Sequence, residues 1–410
     1  MAGFLPRSPP PPRRYRCSPD AQSLTIALAA LGSGALPTAT AAALPRSPAA
    51  TPPVTRAVLP RPTGRHSVST RSLPLTDLGR TDPFASRPGP RKLMVQLWYP
   101  AGSRAPSPHR RNPVAPYTDP GTAAALEADW GMRPGVLKGV GTHARAGGRP
   151  APGTRSAVVL SHGRGASRIL TSGLAEELAS HGHLVAAVDH TYDAAAVRFP
   201  DGRLGLGALP AEPEDWDAQD RLEVAVRAAD LRCVADALCR RTRPLGGVPV
   251  HRVGLLGHSL GGAAAAEAMR TDRRFVAGLD LDGGLFGTTV AETGLDRPFL
   301  LLTSSPDHET WARWRAHHRN WGRHVHLTGG GHLSATDVPA LAAAAGLRER
   351  WPEPLFSDYL GTIAPHRAAT VTRACATAFF DRFLLGLHRP LLDAPTHRYP
   401  ELRFLWTQGA

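Results

Sequence analysis

Apolar and polar residues alternate in two kinds of pattern along most of the chain. Short apolar runs, typical of strands, alternate with longer segments whose apolar residues recur three and four positions apart, as in helices. Strands that alternate with helices form a mostly parallel sheet with helices on both faces, so the pattern predicts the α/β class. The predicted strands are residues 91–99, 158–160, 184–188, 250–256, 275–281, 298–303 and 324–327, and the predicted helices are residues 121–130, 169–181, 215–241, 260–270, 338–345 and 368–385.

The N-terminal segment shows the pattern of an export signal. Arg13, Arg14 and Arg16 precede an uncharged, apolar stretch at residues 23–43 that ends in small residues. This is the order of a secretory signal peptide. We therefore expect residues 1–43 to be a signal peptide and the mature protein to be secreted. A disordered Pro-rich leader is the alternative interpretation.

The composition indicates one large folded unit after a polar connection. Residues 44–75 are rich in Pro, Arg, Ser and Thr and predict a linker or a disordered arm. A single α/β domain is then expected at residues 76–410. Of the 410 residues, 42% are hydrophobic and 20% are charged, which is enough apolar material for a sizeable core.

The charge of the chain is strongly positive but scattered. There are 48 Lys and Arg against 34 Asp and Glu, a net charge of +14, and Lys92 and Lys138 are the only lysines. No segment concentrates basic residues among aromatic residues, which argues against a nucleic-acid-binding protein. The net charge alone allows attraction to an anionic lipid surface.

The most specific motif lies between the predicted strand at 250–256 and the predicted helix at 260–270. Residues 257–261 read GHSLG, a G-x-S-x-G sequence. Glycines are needed at both ends because side chains there would clash in a tight strand-to-helix turn, and that turn exposes the serine hydroxyl above the sheet. Ser259 is therefore the candidate nucleophile.

A nucleophilic serine needs a base, and the base needs a carboxylate. In folds with this motif the acid and then the histidine follow the serine along the chain. His332 lies on a Gly-rich loop after the strand at 324–327 and is the candidate base. The pattern leaves three candidate acids open: Asp280 and Asp282 at the end of one strand, and Asp307 after the next.

A second Gly-rich loop, SHGRG at residues 161–165, follows the strand at 158–160. Such a loop suits an oxyanion hole, in which backbone N–H groups bind the negative charge that develops on the substrate. We expect the N–H groups of Arg164 and Leu260 to do this. A phosphate-binding loop is the alternative, and the absence of a P-loop lysine argues against it.

Four stretches resemble the platelet-activating factor acetylhydrolases of the plasma and intracellular type II kind and their bacterial relatives. They are residues 91–100, 160–190, 257–285 and 328–337. The second stretch, which ends in ASHGHLVAAVDH, carries the most specific likeness. The resemblance implies an α/β-hydrolase fold with a mostly parallel central sheet, no cofactor, no metal, and a Ser-His-Asp triad.

The resemblance also assigns residues. It implies that Ser259, His332 and Asp282 form the triad, and that Arg164 and Leu260 supply the oxyanion amides. Asp282 fits because the family has its acid at the end of the strand after the nucleophile helix. Two departures stand out: Arg164 replaces an apolar residue that is usual in the family, and the segment from residue 190 to 215 is shorter than in the animal enzymes.

The function implied by the resemblance is that of a secreted serine esterase. It would remove a short acyl group, such as the sn-2 acetyl group of an ether phospholipid, through an acyl-enzyme. Its expected partners are a small-molecule ester or phospholipid and, transiently, a lipid surface, with no nucleic acid and no obligate protein partner. Trp311 and Trp314 share a face of a predicted helix that suits either lipid contact or core packing.

Three alternatives use the same motifs. A secreted lipase, cutinase or polyester hydrolase shares the triad and differs in the shape of its pocket. A serine peptidase needs the same machinery. A non-catalytic α/β-hydrolase-fold binding protein is the alternative from a different class, and it usually lacks the serine or the histidine, both of which are present here.

Overall fold

The computed structural model describes residues 56–102, 112–239 and 250–409. The strands within these ranges are β1 (Val68–Thr81), β2 (Pro90–Pro100), β3 (Arg145–Ala146), β4 (Ser156–Ser161), β5 (Leu184–Asp189), β6 (Ala196–Arg198), β7 (Leu204–Leu206), β8 (Arg252–His258), β9 (Phe275–Leu281), β10 (Phe299–Thr303), β11 (Gly322–Leu327) and β12 (Leu402–Gln408). The helices are α1 (Pro120–Asp129), α2 (Ser172–Ser180), α3 (Trp216–Cys239), α4 (Leu260–Thr271), α5 (Val290–Thr293), α6 (Glu309–His317), α7 (Val338–Ala345), α8 (Leu347–Arg350), α9 (Glu353–Leu360) and α10 (Pro365–Leu385).

A ten-stranded sheet forms the centre of this structure. Its order is β12-β11-β10-β9-β8-β4-β5-β2-β1-β3. The six strands from β11 to β5 run parallel to their neighbours. The outer strands β12, β2 and β1 pair antiparallel, and β6 and β7 form a separate hairpin. The predicted mostly parallel sheet is confirmed.

Helices cover the sheet on both faces. Along β4, Val159 packs into a hydrophobic cluster with residues of α3 and α4, whereas Val158 and Leu160 pack into a second cluster with residues of α2 and α10. Both faces of the central strands are therefore buried, which explains why these strands are continuous apolar runs in the sequence. Since the parallel strands end at the same edge, the loops that follow them meet there.

The predicted linker at residues 44–75 requires a correction. β1 begins at Val68, and Leu59 is fully buried, so the folded part of the chain starts before residue 76. Leu73 and Leu75 of β1 pack against the core. The residues between them and beside them are polar or exposed, so this outer strand has too few apolar positions to be distinguished from a polar linker by its pattern.

Most predicted elements agree with the structure, and the differences are concentrated in short or peripheral elements. The helix predicted at residues 169–181 begins with a 3₁₀ turn at Arg168–Thr171 before α2. The edge strand β12 was not predicted, because it is only half-buried over most of its length and has no clear apolar rhythm.

Several features bear on export and on membrane contact. Trp311 and Trp314 are at most 2% exposed, so they pack into the core and do not form a lipid-facing surface. Among the residues that the structure describes, no helix is both long and apolar enough to cross a bilayer. The predicted signal peptide at residues 1–43 lies outside the described residues.

Candidate active site

Ser259 stands in the sharp turn between β8 and α4. Its backbone has φ 54° and ψ −129°, a combination that residues with a side chain rarely adopt. The turn closes because its glycines have no Cβ. A Cβ on Gly257 would lie 2.0 Å from the carbonyl oxygen of Gly261, and one on Gly261 would lie 2.3 Å from that of Ser161. This is the geometry of a nucleophile elbow, with the strain stored at the serine.

Asp282 and His332 meet at the carboxyl edge of the sheet. His332 Nδ1 lies 2.7 Å from Asp282 Oδ2. Asp282 directly follows β9 with φ 59°, and its carboxylate also accepts hydrogen bonds from the backbone N–H (2.6 Å) and the hydroxyl (2.8 Å) of Ser304. Burial opposes ionisation of Asp282, but the hydrogen bonds from His332 and Ser304 outweigh it and lower its pKa. An ionised Asp282 holds the proton of His332 on Nδ1, which leaves Nε2 as an acceptor.

The other two candidate acids make no hydrogen bond to His332 among the described residues. Asp280 is fully buried and accepts one hydrogen bond from the N–H of Gly283 (2.9 Å), and burial raises its pKa well above the ordinary value. Asp307 is exposed. Of the three carboxyl groups left open by the sequence pattern, the structure thus brings only that of Asp282 to the histidine.

His258 joins the elbow to the loop that carries His332. Its Nε2 lies 2.8 Å from the carbonyl oxygen of His332, and the two rings are 4.9 Å apart. Burial lowers the pKa of His258 to about 4, and repulsion from His332 in its protonated form acts in the same direction. His258 is therefore neutral, and its proton is on Nε2 because a carbonyl oxygen only accepts. Its hydrogen bond connects the elbow to the backbone of the candidate base His332.

The loop after β4 lies directly against the elbow. A Cβ on Gly163 would be 3.3 Å from the Cβ of Ser259, so a side chain at this position would crowd the serine. The backbone N–H groups of Arg164 and Leu260 donate no hydrogen bond to any described residue. Leu260 also begins a helix, where the dipole favours negative charge. Two unpaired N–H groups beside a serine are what an oxyanion hole requires.

The side chain of Arg164 is held by the helix α3. Its Nε donates to Glu223 (2.7 Å) and its Nη2 to Asp220, while the guanidinium lies 5.5 Å from the centre of the Trp216 ring. Two carboxylates thus neutralise the charge that distinguishes this position from the apolar residue usual in the family. The arginine at position 164, where the family usually has an apolar residue, therefore still offers its backbone N–H as a donor.

A cavity of about 570 Å³ is present between β1, β2 and the start of α2. Trp98, Tyr117 and Phe199 are among its lining residues, but Ser259, Asp282 and His332 are not. The cavity is therefore separate from the candidate triad residues.

Two residues of this site were not assigned by sequence analysis. Ser304 lies in a short Ser-Ser run after β10, and it reaches Asp282 because β9 and β10 are neighbours in the sheet. His258 was noted in the motif but given no role. The local sequence holds a signal for neither contact, since each depends on which strands and loops are adjacent in space.

Comparison with known proteins gives consistent results. The sequence model of the family "Platelet-activating factor acetylhydrolase, isoform II" matches residues 142–200. A probable 1-alkyl-2-acetylglycerophosphocholine esterase of Arthroderma benhamiae is 29% identical over 385 residues, which cover 85% of this chain and 93% of that protein. The platelet-activating factor acetylhydrolase of Cavia porcellus is 30% identical over 152 residues, which cover 32% of this chain and 35% of that protein.

A solved structure extends the similarity to nearly the whole described fold. The ferulic acid esterase from Streptomyces cinnamoneus is 41% identical, with a TM-score of 0.76, and the match covers 85% of this chain and 99% of that one. This match confirms the predicted α/β-hydrolase fold, and every relative named above is an esterase or an acetylhydrolase. The chain therefore belongs to the esterases of the α/β-hydrolase fold, is similar to the platelet-activating factor acetylhydrolases, and is a carboxylic ester hydrolase.

Proposed function

We propose that this protein is a serine esterase whose catalytic triad consists of Ser259, His332 and Asp282. The observation that carries the proposal is the 2.7 Å contact between Asp282 and His332 at the sheet edge where the strained turn presents Ser259. The lowered pKa of Asp282 supports it, because an ionised carboxylate orients the imidazole and stabilises the imidazolium that forms during the reaction.

The proposed reaction proceeds through an acyl-enzyme. Ser259 Oγ attacks the ester carbonyl carbon while His332 Nε2 takes the hydroxyl proton, and the N–H groups of Arg164 and Leu260 bind the resulting oxyanion. When the intermediate collapses, the bond to the alcohol breaks and His332 gives the proton to the leaving oxygen. Water then attacks the acyl-enzyme with His332 as the base, which releases the acid and restores Ser259.

For the substrate, we propose an ester with a short acyl group. Support comes from the relatives named 1-alkyl-2-acetylglycerophosphocholine esterase and platelet-activating factor acetylhydrolase, the first of which matches over 93% of its length. A second candidate is an aromatic ester of the feruloyl type. It is favoured by the ferulic acid esterase, whose 41% identity exceeds the 29% and 30% of the other two relatives.

We also propose that the protein is secreted after removal of residues 1–43. The three arginines before an apolar stretch that ends in small residues support this proposal. Expression of the full chain in a bacterial host, followed by N-terminal sequencing of the protein recovered outside the cytoplasm, tests it. A new N-terminus near residue 44 is expected, and retention of an intact N-terminus inside the cells would contradict the proposal.

Hydrolysis assays test the catalytic proposal and separate the two substrate candidates. The purified protein would be given p-nitrophenyl esters from acetate to palmitate, a 2-acetyl ether phospholipid and methyl ferulate. We expect turnover that decreases with acyl length and that Ser259→Ala reduces by at least about 10³-fold. Each candidate substrate is ranked by kcat/KM, since specificity is a ratio of these values.

The outcomes of these assays are distinct. Preference for the 2-acetyl phospholipid supports the first substrate class, and preference for methyl ferulate supports the second. A preference for palmitate would replace both with a lipase or cutinase activity. Hydrolysis that persists in Ser259→Ala, or no hydrolysis of any ester, would overturn the assignment of Ser259 as the nucleophile.

A further inference from the structure

The helix α3 buries a row of charged side chains. Asp220, Glu223, Arg227 and Asp230 are three or four positions apart, so they lie on one face of the helix. Glu223, Arg227 and Asp230 are at most 1% exposed. Burying charge is costly unless each group is paired, and the face of a helix that packs on a core is normally apolar. The partners of these buried charged side chains must therefore explain why the helix has them on this face.

Arg227 uses its guanidinium to hold the loop next to Ser259. Its Nη1 donates to the carbonyl oxygen of His162 (2.5 Å) and its Nη2 to that of Gly163 (3.3 Å). Its Nε and Nη2 also donate to the two carboxylate oxygens of Asp193, at 2.6 and 2.5 Å. A planar guanidinium has enough donors in a fixed plane to satisfy a carboxylate and two carbonyls at once, which an ammonium group cannot do.

The carbonyl of Gly163 and the N–H of Arg164 belong to the same peptide group. A peptide group is planar, and the described chain contains no cis bond, so its C=O and N–H point in opposite directions. A donor that fixes the carbonyl therefore also fixes the direction of the N–H. Gly163 O accepts from Arg227, from His162 Nδ1 (2.6 Å) and from the N–H of Ala166 (3.2 Å), so this peptide group is held firmly on its carbonyl side.

The helix α3 also binds the residue that supplies the N–H of this peptide group, Arg164. The side chain of Arg164 donates to Glu223 at 2.7 Å and also to Asp220. The loop is thus attached to α3 in two ways. The carbonyls of the two residues before Arg164 accept hydrogen bonds from Arg227, and the side chain of Arg164 donates hydrogen bonds to Glu223 and Asp220.

We propose that Arg227, itself held by Asp193, is a positioning residue that keeps the peptide group between Gly163 and Arg164 oriented so that its N–H faces the developing oxyanion. This inference rests on the proposed function, because it concerns the N–H that we assign to the oxyanion hole. Arg227 acts through the loop and does not touch the substrate. Its contribution is made in the transition state, where the charge on the substrate oxygen is largest.

A neighbouring hydrogen-bonded chain resembles a triad but has no access to substrate. Ser161 Oγ lies 2.9 Å from His190 Nε2, and His190 Nδ1 lies 2.9 Å from Asp230 Oδ2. All three residues are completely buried. They fix the end of β4 from within the core and are not a second catalytic site.

The test is the kinetics of Arg227→Lys on p-nitrophenyl acetate, together with inhibition by phenylboronic acid. Lysine keeps the charge beside Asp193 but cannot hold both carbonyls. We expect kcat to fall by about 10- to 100-fold while KM changes by less than about 3-fold, since a misdirected oxyanion donor weakens only the transition state. The inhibition constant of phenylboronic acid, which forms a tetrahedral adduct with a nucleophilic serine, should rise by a similar factor to the fall in kcat.

Arg373→Lys is the matched control. Arg373 is also a buried arginine that donates to backbone carbonyls, to Gly173 O (2.7 Å) and Pro60 O (2.9 Å), with the carboxylate of Glu177 3.6 Å away. It lies on α10, away from the elbow. We expect Arg373→Lys to lower the melting temperature but to leave kcat per folded molecule unchanged.

The outcomes separate this inference from the proposed function. A kcat of Arg227→Lys within about 3-fold of the wild type, a loss that appears in KM, or an equal loss of kcat in Arg373→Lys overturns the positioning role while Ser259-dependent hydrolysis stands. Absence of Ser259-dependent hydrolysis in the wild type overturns the proposed function itself. If Arg227→Lys does not fold, the kinetics of Asp193→Asn are measured instead. We expect a smaller loss that is confined to kcat. An unchanged kcat would contradict the inference.

Discussion

At the scale of single residues, the candidate site combines backbone strain with charge. Ser259 and Asp282 both have positive φ, a conformation that non-glycine residues seldom adopt, and both directly follow a parallel strand. Each is held by neighbours: Ser259 by the packing of two glycines, and Asp282 by two hydrogen bonds from Ser304. Strain that the surroundings impose in this way is typical of residues placed for chemistry.

Replacement of Asp282 by asparagine tests the role of its charge. Asparagine has nearly the same shape, but it neither fixes the tautomer of His332 nor stabilises an imidazolium. We expect kcat for p-nitrophenyl acetate to fall by about 10³- to 10⁴-fold, with KM changed far less. Asp307→Asn is the control, because Asp307 is exposed and should be replaceable without loss of activity. A similar loss in Asp307→Asn, or less than a 10-fold loss in Asp282→Asn, would contradict this assignment.

At the scale of elements, the turn from β8 into α4 is the most constrained part of the site. Its geometry depends on close backbone contact, so Gly257 and Gly261 are required by packing. Gly262 in the first turn of α4 adds to this, since a Cβ there would meet the carboxyl group of Asp280 at 1.8 Å. The turn, the helix and the end of β9 therefore form one close-packed unit.

Gly257→Ala tests this constraint. The added Cβ would lie 2.0 Å from a backbone oxygen, which cannot move away without opening the turn. We expect a loss of at least about 3 kcal/mol in the free energy of unfolding, measured by denaturant titration, and loss of esterase activity in any folded fraction. Gly139→Ala is the control, because a Cβ there meets no atom within 4 Å, and a change of no more than about 1 kcal/mol is expected. Equal behaviour of the two variants would refute the constraint.

At the scale of the whole molecule, distant segments meet around buried charges. Asp337 at the start of α7 accepts hydrogen bonds from the hydroxyl of Tyr117 (3.1 Å) and from the N–H of Gly173 in α2 (3.0 Å). Arg373 of α10 donates to the carbonyl of the same Gly173. Burial of Asp337 is only partly offset by these partners, and its pKa rises to about 7.

This pKa predicts a pH-dependent contribution to stability. An Asp in an unfolded chain has a pKa of about 3.9, so between pH 4 and 7 the folded state binds the additional proton. The wild type should therefore lose stability relative to Asp337→Asn as the pH rises through this window, by up to about 1.4 kcal/mol per unit, with no further change above about pH 7. Denaturant titrations of both proteins from pH 4 to 8 measure the difference. Parallel curves, or a difference of the opposite sign, would show that Asp337 is ionised in the folded protein.

The sequence pattern was sufficient for the order and type of the central elements. Continuous apolar runs and helical spacing predicted the parallel strands, and the glycines of the GHSLG motif predicted the elbow, because both depend on interactions between residues that are close in the chain. The order of serine, acid and histidine along the chain made His332 the candidate base. The outer strands β1 and β12 were missed, since their partly exposed residues show no clear apolar pattern.

Which groups the charged residues pair with could be determined only from the folded structure. The pattern left Asp280, Asp282 and Asp307 open, and the family resemblance favoured Asp282, but contact with His332 arises from the way β9, β10 and β11 lie side by side. The sequence likewise gives no sign that the charged row on α3 is buried, and only the packing of this helix against the loop after β4 shows it. The local sequence determines the preference of each segment for helix, strand or turn. Which side chains are buried and which groups pair is determined by contacts between segments that are distant in the chain.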